Sequence, residues 1–239
     1  MAVLTPPPPR HLSAGSHVPE TALDLFKVVI VEDHRMFREW LTQMLGRNSD
    51  CEVCGEADNI QDAQRIIQAT KPDIVIVDIT LKGSSGLELI KDLRAQGLNT
   101  PVLVLSMHEE ALYAERVLRA GARGYISKHE ASSTLIKAIR HVLSGQVYLS
   151  EGMTASLLEK VSGRKTSSST SGLELLADRE LEVFQLIGKG HNGREIAELL
   201  HLGETTVDTY RARIKEKLRL RNAAELYSRA AQWVHETGA

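Results

Sequence analysis

Four short apolar runs, KVVIV (27–31), DIVIV (73–77), PVLVL (101–105) and the GYI of RGYI (123–126), together with the more mixed CEVCGEA (51–57), divide the stretch from Leu25 to Gly145 at near-regular intervals. Each is followed by residues whose apolar members recur every three or four positions. These sets are Phe37, Leu41 and Leu45; Ile60, Ala63 and Ile67; Leu89, Ile90 and Leu93; Ala114, Val117 and Leu118; and Leu135, Ile139, Val142 and Leu143. Short continuous apolar runs are strands buried on both faces, and the three-and-four spacing marks amphipathic helices. Strands separated by helices must run parallel, because a parallel pair needs a crossover connection. The expected fold is therefore α/β: a doubly wound, five-stranded parallel sheet, occupying residues 25–148.

The chain changes character after that. Residues 149–172 read as a linker helix (about Glu151–Val161) followed by SGRKTSSSTSG (162–172). That segment has no apolar side chain with which to pack and reads as a flexible linker. Residues 173–239 contain no strand-like run and read as a small all-α domain of four helices. Leu181, Phe184 and Ile187 line the first; Ile196, Leu199 and Leu200 the second; Val207, Tyr210, Ile214 and Leu218 the third (204–218); Leu226, Ala230, Trp233 and Val234 the fourth. Residues 1–24, with the run Pro6–Pro9, read as a disordered tail.

Composition excludes some classes. The net charge is −2 over 239 residues, so any basic surface must be local. No apolar stretch approaches the ~20 residues of a membrane span, and the N-terminus lacks the apolar core of a signal peptide. A cytoplasmic protein is expected. Cys51 and Cys54 sit on a strand, where spacing of three sends side chains to opposite faces, so neither zinc nor redox chemistry is expected of them.

The candidate chemistry lies at the carboxyl ends of the strands, where open α/β sheets bind ligands. Glu32 and Asp33 follow the first run, Asp78 the third, Ser106 the fourth and Lys128 the fifth. In a flavodoxin-like strand order Asp78 ends the central strand beside Glu32 and Asp33. Carboxylates gathered together repel unless a cation sits among them. Mg²⁺, which prefers oxygen ligands, suits the set as cofactor. The Asp78 carboxylate is then placed to attack a phosphoryl donor and form an aspartyl phosphate. Lys128 would neutralise the phosphoryl oxygens and Ser106 would hydrogen-bond them.

This constellation resembles the receiver domain of two-component response regulators, over about 120 residues. The resemblance implies phosphorylation at Asp78 by a sensor histidine kinase. It implies Mg²⁺ held by Glu32, Asp33, Asp78 and the backbone carbonyl of Thr80. It also implies a switch set of Ser106, Lys128 and the aromatic Tyr125. Met107 departs from the smaller residue common after the switch hydroxyl, and His34 reads as a residue at the surface or behind the acidic pair rather than as a catalyst.

In the helical domain the basic residues concentrate between Arg211 and Arg221, on the helix after the tight turn at Leu202–Gly203. A basic helix in that position suits phosphate neutralisation beside a major groove. LADRELEVFQLIGKGHNGREIAELLHLGETTVDTYRARIKEKL resembles the LuxR-type helix–turn–helix of NarL/FixJ response regulators. That resemblance implies double-stranded DNA as partner and helix 204–218 as the reading helix. Thr205, Asp208, Thr209, Ala212 and Lys215 then face outward, flanked by Arg211 and Arg213. Asp208 departs from the Lys common there, and Tyr210 from a frequent His. The last helix, through Leu226, Ala230, Trp233 and Val234, is expected to pair two copies in a homodimer, or in part to close the domain core.

The expected function is a DNA-binding transcription factor switched by phosphorylation of Asp78, and not an enzyme. Two alternatives are a phosphorylation-independent regulator with the same domains and an aspartyl-phosphate phosphohydrolase. The second is disfavoured by Thr80, which stands where such enzymes carry a general-acid Asp.

Overall fold

The computed structural model describes residues 25–107, 110–161 and 172–237. The tail at 1–24 and the linker stretch 162–171 lie outside them. The first domain alternates strand and helix: β1 (Phe26–Val31), α1 (Arg35–Gly46), β2 (Cys51–Ala57), α2 (Ile60–Thr70), β3 (Ile74–Val77), a two-residue hairpin β4 (Thr80–Leu81) and β5 (Ser84–Ser85), α3 (Gly86–Ala95), β6 (Val102–Ser106), α4 (Glu110–Ala120), β7 (Gly124–Ser127) and α5 (Ala131–Leu143). The main sheet has the order β2-β1-β3-β6-β7, and its neighbouring strands are all parallel. The β4–β5 hairpin, antiparallel and only two residues per strand, has no counterpart in the sequence reading.

Alternation along each strand divides the core in two. Val29, Val31, Val75, Val77, Val102, Val104 and Tyr125 face α2, α3 and α4. Val28, Ile30, Ile74, Ile76, Leu103, Leu105 and Ile126 face α1 and α5. A parallel sheet covered on both faces needs apolar side chains at consecutive positions, which is why the strands carry unbroken Val/Ile/Leu runs. Cys51 and Cys54 belong to opposite faces, and both are free thiols.

One glycine ties the fold to the site. Gly86 N–H donates to the Ile79 carbonyl at 2.7 Å. A Cβ there would lie 2.0 Å from the Asp78 carbonyl oxygen, a backbone atom that cannot swing away. Gly86→Ala is therefore expected to lower stability by about 1–3 kcal/mol or more. A urea titration would show the midpoint falling with the slope unchanged; an unshifted midpoint would contradict the close approach.

The chain continues through α6 (Glu151–Val161), which packs on α4, and a 3₁₀ turn (Leu173–Leu175). The helical domain follows: α7 (Asp178–Gly188), α8 (Gly193–Leu199), α9 (Glu204–Lys217) and α10 (Ala223–Thr237). Asn192 caps α8 by accepting from the N–H groups of Arg194 and Glu195, while Glu195 accepts from Asn192 N–H. Leu226, Ala230 and Trp233 are buried inside this domain, with the Trp233 ring 5.8 Å from that of Phe184. These three close their own core and offer no surface to a second copy, which corrects the dimer expectation for them. A domain this small cannot spare its largest aromatic side chain from its interior. Val234 is half-buried and also packs inward. Among the described residues no helix is long and apolar enough to cross a membrane.

Candidate functional site

Strand register assembles the site. Val31 lies opposite Val77, Val77 opposite Val104, and Ser106 opposite Ser127. The residues just past these positions must therefore meet at one end of the sheet. Glu32, Asp33, Asp78 and Ser106 are all buried there. Lys128 N–H donates to the Ser106 carbonyl at 2.8 Å, which fixes where the lysine leaves the sheet. Its ammonium then bonds Asp78 Oδ2 at 2.8 Å and Glu32 Oε2 at 2.7 Å, and sits 4.6 Å from the centroid of the Phe37 ring.

The electrostatics follow from one cation among several acids. Burial, then the neighbouring Asp78, pushes Glu32 up to about 7 against the pull of Lys128. Burial also raises Asp78 above the ordinary carboxylate range, opposed by Lys128 and the backbone amides of Thr80 and Ile79. Burial alone would lower the Lys128 ammonium, but Asp78 and Glu32 reverse that and raise it. Burial thus favours the neutral form of both carboxyl groups, and Lys128 draws them back toward the ionised form.

The members differ in what they have to spare. Glu32 is engaged at both oxygens, since Oε1 accepts from His34 N–H at 3.0 Å. Asp78 Oδ1 is buried without a hydrogen-bond partner. Asp33 is flanked by two imidazoles: His34 Nδ1 lies 3.9 Å from Oδ1, and His201 Nε2 lies 3.8 Å from Oδ2. Ligand atoms of Glu32, Asp33 and His34 lie within 4.8 Å of one another. Hard carboxylate oxygens, one of them orphaned, fit a small oxygen-seeking cation such as Mg²⁺. Thr80 opens β4 directly beyond Asp78, and Tyr125 points into the core, almost fully buried.

On α9, Thr205, Asp208, Thr209, Ala212 and Arg213 are exposed, and Lys215 is half-buried. Arg211 behaves differently from the sequence expectation. Its guanidinium folds back toward Asp208 at 3.3 Å and lies 5.8 Å from the Tyr227 ring, leaving the side chain only 19% exposed. Asp208, 72% exposed, holds that arginine while remaining at the surface.

His201 belongs to the helical domain, so the two domains meet at the acidic site. Sequence periodicity gave no sign of this. Arg116 on α4 donates to the Leu173 and Leu176 carbonyls at 2.8 Å each and to Asp178 at 3.1 Å. Lys91 on α3 bonds Asp178 at 2.9 Å. Arg179 donates to the Leu81 carbonyl at 3.0 Å and pairs with Glu182, which is fully buried. One apolar cluster runs through both domains. Arg179 and Glu182 are buried here although both are charged, and nothing in their spacing marks them for burial.

Comparison with known proteins agrees with this architecture. Residues 28–140 match the response regulator receiver domain, and residues 174–230 match the bacterial regulatory proteins of the luxR family. The oxygen regulatory protein NreC of Staphylococcus carnosus is 35% identical over 205 residues, covering 84% of this chain and 94% of that protein. The crystal structure of a LuxR-family two-component response regulator from Aurantimonas sp. aligns with TM-score 0.54 and 29% identity over 58% of this chain and 99% of that one. RcsB of Salmonella enterica, solved bound to a promoter with a phosphomimetic, shares the fold at 23% identity and TM-score 0.56, over 87% of this chain and 98% of that one. With a receiver domain carrying its acidic site and a LuxR-type helix–turn–helix behind it, the chain belongs to the LuxR family of two-component response regulators.

Proposed function

We propose that this response regulator accepts a phosphoryl group on Asp78 from a sensor histidine kinase and in consequence changes its binding to double-stranded DNA. The observation that carries the reading is the orphaned, buried Oδ1 of Asp78. In the transfer, an Asp78 oxygen forms a bond to phosphorus as the bond from phosphorus to the donor nitrogen breaks. The imidazole leaves with the electron pair. Asp33, Asp78 and the Thr80 carbonyl would hold Mg²⁺, with Glu32 behind them anchoring Lys128, and the cation would supply positive charge to the phosphoryl oxygens. Lys128 needs no large movement to meet the product, since it already bonds the attacking carboxylate. Ser106, at the end of β6, would donate its hydroxyl to the new oxygens, and Tyr125 would repack behind it. The phosphorylation-independent alternative is disfavoured by the completeness of this set.

The DNA-reading surface would be the exposed face of α9. Arg213 and Lys215 are the expected phosphate contacts. Arg211 serves instead to hold Asp208, which together with Thr205, Thr209 and Ala212 would meet base edges; an acid there accepts from cytosine N4. Removing Arg213 or Lys215 as Ala should weaken binding across all sequences and lower the slope of log affinity against log salt by about one. Asp208→Lys should raise non-specific affinity and change the sequence selected from a random pool. An unchanged consensus would show that α9 reads DNA through another face.

A further inference from the structure

Three helices of the LuxR-type domain meet around one side chain of α9. The Arg211 guanidinium fills the space that a side chain would take at Gly193, in the first turn of α8, and lies 5.8 Å from the centroid of the Tyr227 ring on α10. A Cβ on Gly193 would come within 2.8 Å of Arg211 Nη1, 3.4 Å of Cζ and 3.5 Å of Nη2, so glycine is what leaves room for the group. Nη1 donates to Asp208 Oδ1 at 3.3 Å. Nε and Nη2 are buried and have no hydrogen-bond partner among the described residues. The guanidinium is thus held by packing, by the ring and by one acid.

We propose that Gly193, Arg211 and Tyr227 form a clip that fixes the Asp208 carboxylate for base reading, so that the choice of one base pair is set by three residues that do not read DNA themselves. The inference rests on the reading that Asp208 meets a base edge. An ion pair three residues apart on a solvated helix is weak and would not hold an exposed acid in one rotamer. Asp208 is exposed, but its partner is mostly buried and seated against two other helices. The long arginine side chain is therefore ordered by packing before DNA arrives, and the acid is pre-organised with it. Cytosine presents its N4 amino group as a lone donor in the major groove. Adenine sets the N7 acceptor beside its amino group, and that acceptor repels an acid. The paired arginine also offsets the repulsion between the acid and the phosphates.

Gly193 separates the clip from ordinary domain stability. The atom closest to an added Cβ is Nη1, at the far end of a flexible side chain, so in Gly193→Ala the guanidinium swings out and the fold is kept. Alanine is also the better helix former at a position inside α8. The variant removes no charge and no atom of α9. A change of base choice in Gly193→Ala, with the urea midpoint not lowered, has no explanation in folding.

Two measurements on the full chain test the clip. The first needs no DNA: the Arg211 Nε proton, followed by NMR, should exchange with water on the order of tenfold more slowly in the parent than in Gly193→Ala. The second is site selection from a random pool of DNA duplexes. The parent should prefer cytosine at one position, which Asp208→Ala locates by losing it. In Gly193→Ala, Arg211→Lys and Tyr227→Ala that preference should fall by about five- to tenfold, with the other positions of the consensus kept. Tyr227→Phe, which retains the ring, should retain the preference. A consensus carried unchanged into Gly193→Ala and Arg211→Lys, while Asp208→Ala alters it, would overturn the clip. So would a parent Nε proton that exchanges as fast as that of Gly193→Ala. A consensus unchanged in Asp208→Ala would instead overturn the inference at its premise, that this acid reads a base.

Discussion

Asp78→Asn is expected to abolish phosphoryl incorporation from acetyl phosphate, a loss of several orders of magnitude in rate. The carboxamide keeps the size and the contacts of the aspartate but lacks the nucleophilic oxygen pair. No neighbour is placed to substitute. Both Glu32 oxygens are engaged, by Lys128 and by His34 N–H. Asp33 lies between the His34 and His201 imidazoles, on the metal-binding side of the proposed site. The variant should not be less stable. Asp78 is one of the two main causes that raise Glu32, so removing its charge lets Glu32 ionise more easily, and stability at neutral pH should rise. Radiolabel or mass measurement of bound phosphate decides the matter. Incorporation at the wild-type rate would place the phosphoacceptor elsewhere.

Lys128→Ala should carry the largest stability cost in the receiver. The ammonium holds two buried carboxylates at once, and removing one partner of a buried ion pair typically costs about 3–5 kcal/mol. The loss has a characteristic pH dependence. Glu32 already stands at about 7, and without Lys128 it must rise further. The folded variant therefore binds protons that the unfolded chain does not, and its stability recovers as pH falls below neutral and worsens as pH rises. Millimolar Mg²⁺ should return part of the loss, because a divalent cation can take over the neutralising role among the carboxylates. Urea titrations at pH 6 and 8, with and without Mg²⁺, test this. A deficit under about 1 kcal/mol that ignores both pH and Mg²⁺ would mean that the carboxylates do not depend on the lysine.

Much of this molecule was legible in its sequence because local rules and global fold agree. Unbroken Val/Ile/Leu runs belong to strands covered on both faces, and the helical spacings between them leave a parallel sheet as the solution. Once the strands are parallel and in register, Glu32, Asp33, Asp78, Ser106 and Lys128 must gather at one end. The periodicity of Leu226, Ala230 and Trp233 was equally visible, but a stripe on a helix does not say what covers it. Here it is Phe184 and the rest of the domain's own core. Arg211 read as an outward cation, yet Asp208 one turn earlier and Tyr227 on the next helix draw it back, a local contest that charge counting does not resolve. The contact between domains was not legible at all. Lys91, Arg116, Arg179 and His201 are single polar residues far apart in sequence, and each carries the pattern of an ordinary solvated side chain.

The most direct measurement is the DNA affinity of the full chain, with and without prior phosphorylation, at one salt concentration with Mg²⁺ present, using a site selected from a random pool. We expect the phosphorylated chain to bind the site more tightly, and the difference to disappear in Asp78→Asn. Equal affinity for the phosphorylated and unmodified chains, with phosphate on Asp78 verified, would contradict the assignment of Asp78 as the switch for DNA binding.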